Sequence, residues 1–128
     1  MHTVQDVYER ASALLFETPG EDTDFRNNAL TLINILAAEA FPYENSIRRS
    51  KGETELEKPP RFELMIDDIP FSDDICMVAL PYGLASFFVQ DDNDSYRAHD
   101  YRGRYVNALR EAAKATEETI TDAYGGAE

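Results

Sequence analysis

Residues 75–89, ICMVALPYGLASFFV, form the densest apolar run of the chain, interrupted only by Pro81, Gly83 and Ser86. A helix that is apolar nearly all round has to be wrapped on several sides, so this run predicts a central core helix. It is flanked by Asp73 and Asp74 before and by Asp91 and Asp92 after. It also falls short of the roughly 18 apolar residues that a bilayer crossing needs. Pro81 removes one internal hydrogen bond and predicts a kink near the start of the helix. Gly83 lets a neighbouring backbone come close.

The flanking segments read as amphipathic helices. Thr3 can cap a first helix, with Asp6 three residues on favouring its positive end. Val4, Val7, Tyr8, Ala11, Leu14 and Leu15 then share one face, and Pro19 with Gly20 ends it. Thr23 or Asp24 caps a second helix, on which Phe25, Ala29, Leu32, Ile33, Leu36 and Ala40 follow the helical period. Pro42 is expected to end or kink that helix, with YENSIRRS continuing for about two more turns. Asp94 or Ser95 caps a last helix whose buried face is Tyr101, Tyr105, Ala108, Leu109 and Ala112. The whole chain, 1–128, therefore reads as a single all-α domain. It is a small bundle of about four main helices, with an extended loop near residues 51–72 and a flexible tail at 121–128.

The loop breaks the helical pattern. Pro59 and Pro60 exclude a regular helix and favour stiff extended chain. Phe62, Leu64 and Ile66 alternate with Glu63, Met65 and Asp67, which predicts a short extended or edge-strand piece. Irregular connections of this length are uncommon in compact domains and often functional. A solvated loop is the plain reading; a partner-binding loop using Phe62, Leu64 and Ile66 is the sharper one.

Charge narrows the function classes. The 25 Asp and Glu residues against 12 Lys and Arg leave a net charge of −13. Such a field disfavours binding to nucleic-acid phosphates and anionic membranes. It leaves solubility, an acidic wall beside moving DNA, or an imitation of DNA. The single cysteine, Cys76, lies inside the apolar run, so no intramolecular disulfide forms and a reducing compartment is expected. The N-terminus, MHTVQDVYER, lacks the basic and apolar regions of a secretion signal.

Chemistry is hard to find in the sequence. His99 is followed by Asp100, but neighbours on a helix point about 100° apart and make no dyad. No GxSxG, HExxH or CxxC spacing occurs. An EF-hand reading of DDNDSYRAHDYR fails, because Tyr96 and Arg102 stand where the loop needs Gly and Glu. Asp67 with Asp68 and Asp73 with Asp74 are acidic pairs of the kind that ordinarily stay solvated. Catalysis, a metal site and a cofactor are accordingly not expected. Arg97, Arg102, Arg104 and Arg110 gather with Tyr96, Tyr101 and Tyr105 in one basic-aromatic zone. There the tyrosines are expected to pack inward and the arginines to pair with surplus acids, or to meet an acidic neighbour at a subunit interface.

Three segments taken together, NALTLINILAAEAFPYENSIRR, the acidic lead DDIPFSDD, and VALPYGLASFFVQDDND followed by YRGRYVNAL, give the chain a family likeness. It resembles the small head–tail connector (adaptor, or head-completion) proteins of tailed phages and prophages. In those a helix with an L-P-x-G-L-A-like step is followed by a short acidic turn and a helix with an R-Y-x-x-A-L pattern. The likeness spans residues 4–124. It implies a helical, non-enzymatic protein that forms a homo-oligomeric ring below the portal protein, extends the DNA channel and docks a stopper or tail-completion protein. DNA would pass through without specific binding, and the protein would sit in the virion neck after assembly in the host cytoplasm. The loop and the C-terminus would then reach neighbours and become ordered on assembly, with Phe62, Leu64 and Ile66 touching the partner and Arg102 and Arg104 touching the next subunit. The competing readings are an acidic DNA-mimic inhibitor and a small helical regulator. Carboxylates gathered at 17–24, 53–57, 67–74 and 91–94, rather than spread over one surface, speak against mimicry.

Overall fold

The computed structural model describes residues 1–18, 20, 23–91 and 93–125. Its backbone is set first by helix ends. Thr3 closes β1 (His2–Thr3) and caps α1 (Val4–Leu14) with a full capping box. The Asp6 amide donates to Thr3 Oγ1 at 3.2 Å, and the Thr3 amide donates to Asp6 Oδ2 at 2.9 Å. Two of the four orphan donors of the helix start are satisfied in this way. Asp94 likewise caps α4 (Ser95–Gly125) by accepting from the Arg97 amide at 3.0 Å.

Three helix exits share one geometry. At each, a residue of positive φ reverses the chain, and the next amide reaches back across the last turn. Gly52 (φ 71°) does this after α2 (Thr23–Ser50), with the Glu53 amide donating to Arg48 O. Asn93 (φ 60°) does it after α3 (Leu80–Asp91), with the Asp94 amide donating to Val89 O. After α1 the same position is Phe16 (φ 58°), with the Glu17 amide donating to Ser12 O. Gly and Asn adopt this conformation readily; a bulky aromatic does so at a cost. Helix α1 thus ends before Pro19 and Gly20, on a local motif.

The apolar run forms the central rod, as its composition requires. It opens with a π-helical turn, Ile75–Ala79, and continues directly into α3. The Leu80 amide donates to Ile75 O, five residues back, in place of the usual four. The expected irregularity at Pro81 is therefore present as a widened turn immediately before it, where a helix can host a residue that has no amide hydrogen. Around the rod pack α1, α2 and α4. Ile33, Leu36, Leu80, Leu84, Val7 and Tyr8 are among the fully buried side chains. Gly83 marks the tightest crossing: a Cβ there would lie 2.7 Å from Leu36 Cδ2 and 3.0 Å from Tyr105 Cδ1.

Other expectations are adjusted. Helix α2 runs through Pro42 to Ser50 without ending. Pro42 is exposed, so water can satisfy the carbonyl it leaves unpaired. No strand forms at 62–66; the one antiparallel pairing joins His2 to Ile69 and Thr3 to Asp68, in β1 and β2 (Asp68–Ile69). The expected flexible tail at 121–128 is helical through Gly125, and its last three residues lie outside the described ones. Among the described residues no helix is long and apolar enough to cross a membrane. The all-α bundle is as expected.

Candidate functional site

The connection from α2 to the core helix is long but not loose. Helix α2 holds it at successive points. Asn34 donates from Nδ2 to Phe62 O at 2.9 Å and accepts the Phe62 amide at 2.7 Å. About three helical turns along, Asn45 does the same for Leu56, at 3.0 and 2.7 Å. Arg48 donates to Thr54 O at 3.0 Å and to Pro70 O at 2.8 Å. Its Nε also meets the buried Glu44 carboxylate at 2.8 Å. Glu44 Oε1 in turn accepts both the amide and the hydroxyl of Ser72, at 2.7 and 2.8 Å. A buried carboxylate is tolerable only when its oxygens are occupied in this way.

One turn of this connection projects. The Asp67 carboxylate accepts the amides of Glu63 and Leu64 at 2.8 and 3.0 Å. These two bonds hold its carboxyl below the usual carboxylate range. The Gln5 amide donates to Met65 O at 2.8 Å, and the Val4 amide to Asp67 O at 3.1 Å, fixing the turn to the start of α1. Leu64 and Ile66 stand outward on it, 57% and 76% exposed. Phe62 does not: it is 4% exposed and part of the core. The expectation of a partner contact at Phe62 is corrected accordingly, because Asn34 draws its backbone onto α2 and turns the ring inward. Backbone groups of this loop are bonded to α2 and to the start of α1 within the single chain.

The basic-aromatic zone divides in two. Arg102 meets Glu39 through both terminal guanidinium nitrogens and lies 5.0 Å from the Tyr105 ring centroid, joining α4 to α2. Hydrogen bonding to Glu39 raises the Arg102 pKa further. Tyr105 is buried and donates its hydroxyl to Leu36 O at 3.2 Å. Arg104 pairs with Asp100 at 3.0 Å and sits 5.9 Å from the Tyr82 ring. Tyr82 stacks on Tyr101 at 6.2 Å, and Arg97 covers Tyr101 at 5.9 Å. Arg102 and Arg104, expected to reach another subunit, thus both have partners within their own chain; Arg104 remains the more exposed of the two.

Beside Tyr82 lies a surface the sequence did not point to. Phe16 is 97% exposed and Val78 45%. With Ala13, Leu14, Met77 and Pro81 they edge an open groove of about 450 Å³ between α1 and the core helix, bordered by Arg10. The phase of α1 placed Leu14 on the buried face, yet Leu14 is only partly buried and lines this groove. The position of Phe16 follows from the chain reversal, which no apolar periodicity encodes.

Reactive groups are engaged elsewhere. Burial pushes the Cys76 thiol up to about 12, and its Sγ donates to Phe71 O. His2 bonds Asp73 Oδ1 through Nε2 at 2.9 Å, held in place by β1. The nearby Ser72 hydroxyl donates to Glu44, so the nucleophile–base bond of a triad is not made. Among the described residues no group of three His, Cys, Asp or Glu side chains is placed to hold a metal. Comparisons with protein-family models, curated proteins and solved structures give no match.

Proposed function

We propose that this protein is a structural head–tail connector of a tailed phage or prophage. It forms a ring below the portal, extends the DNA channel and offers a docking surface to a stopper or tail-completion protein. The observation that carries this reading is the turn at 63–67. Two large apolar side chains, Leu64 and Ile66, are held outward by Asp67 and by the start of α1. An anchored turn with apolar tips loses little freedom on docking. The charge of −13 suits a channel wall that must not hold the duplex. The virion neck is the location this role assigns, and enzymatic activity has no part in it.

The test is co-expression with a tailed-phage portal protein from the same genome, followed by electron microscopy of the purified complex. A ring of density under the portal supports the role. Absence of the chain from portal complexes would refute it.

A second reading, an acidic mimic of DNA, is favoured by one feature. Glu53, Glu55 and Glu57 are exposed at alternate positions of a segment fixed by Arg48 and Asn45. Competition with duplex DNA for a basic nuclease or repressor would reveal it.

A further inference from the structure

We infer that the groove between α1 and the core helix receives the Leu64–Ile66 turn of a second copy of this chain. Three observations support the contact. Phe16 occupies a backbone conformation that suits Gly, and yet exposes nearly its whole ring. At the equivalent exits the chain uses Gly52 and Asn93. An unfavourable conformation that presents an aromatic to solvent points to a use for that aromatic.

Charge supplies the second observation. The groove is bordered by Arg10, while Arg97 and Arg104, over the tyrosines beside it, are paired with Asp94 and Asp100. Arg10 has no ion-pair partner among the described residues. The projecting turn carries exposed Glu63 and Asp68 next to its apolar tips. In a chain of net charge −13, an apolar socket edged by Arg10 and an apolar plug edged by two carboxylates are complementary.

Placement is the third. Gln5, whose first-turn amide holds the turn, and Leu14, which lines the groove, are about 13 Å apart along the axis of α1, so the turn sits at the start of the helix and the groove at its end. Plug and socket at opposite ends of α1 cannot satisfy each other within one chain. Across copies they make a head-to-tail contact, which closes into a ring or runs on as a filament.

This contact rests on the assembly reading above, but its test uses the purified full-length chain alone, so failure of the contact and failure of portal docking are read separately. Val78→Glu disables the socket and Ile66→Glu disables the plug, both at exposed positions. In sedimentation velocity over rising concentration, wild type should form species larger than dimer, while each variant alone stays monomeric. A mixture of the two should give a dimer and nothing larger, because one intact socket and one intact plug remain. If Val78→Glu fails to fold, Phe16→Gly replaces it as the socket variant. A wild type that is monomeric at every concentration, a single variant that still associates, or a mixture that stays monomeric would each overturn the contact.

Discussion

Gly83 faces Leu36 at a separation that leaves no room for a methyl group: a Cβ would stand 2.7 Å from Leu36 Cδ2. The crossing of α3 over α2 is set by this contact, with the Tyr105 ring closing the third side. Gly83→Ala should therefore destabilise the fold. Overpacking of about 1–3 kcal/mol outweighs or offsets the helix-propensity gain of about 1 kcal/mol. Urea unfolding of Gly83→Ala, and of the same change with Leu36→Val, measures this; the shorter residue should restore part of the loss.

The two asparagine clamps should act independently. Asn34→Ala and Asn45→Ala each leave a backbone amide and carbonyl without their partner, at a cost of about 1–2 kcal/mol. Hydrogen exchange should quicken at the Phe62 amide in the first variant and at the Leu56 amide in the second. Quickening at both sites in either variant would mean that the connection is released as a unit.

Acid should loosen the 63–67 turn before it unfolds the bundle. The Asp67 pKa lies below its ordinary 3.8 in the folded chain because its ionised form accepts two amides. The stabilisation is thus complete above the unfolded value and is lost as pH falls through the lower folded value. The Glu63 and Leu64 amide resonances should titrate together with a midpoint below 3.8, and Asp67→Ala should abolish that titration. Because both partners are uncharged amides, added salt should alter the effect only modestly.

Phe16→Gly should make the monomer more stable. It relieves a left-handed conformation that costs an ordinary residue about 1 kcal/mol and removes almost no buried area, as the ring is 97% exposed. A small domain should then melt several degrees higher. The same change should abolish self-association, a combination that simple damage to the fold does not produce.

What the sequence disclosed was local or composition-driven. The apolar run fixed the central rod, and the Thr3–Asp6 capping box was readable because its partners are three residues apart. Gly83 was recognisable as a close approach, though not the side chains it meets. The inward turn of Phe62 was hidden because it depends on Asn34, 28 residues away. Alternation around Phe62, Leu64 and Ile66 suggested a strand whose side chains would share one face; the Asp67 turn instead parts Phe62 from the other two. Phe16 was illegible for another reason. The exit motif that exposes it is ordinarily announced by glycine, so an aromatic there reads as one more residue of the helix.

An asparagine side chain carries an N–H donor and a carbonyl acceptor side by side, the same pair of groups that a peptide unit offers to a neighbouring strand. Asn34 and Asn45 therefore serve as two rungs of a ladder whose second upright is a helix. A sheet edge presents such groups continuously and invites any extended chain to add itself, which is how edge strands seed aggregation. Here the rungs stand far apart, and both are filled by the protein's own backbone. The chain can thus keep a long extended segment at its surface in register while offering no template along α2 for a stranger's strand.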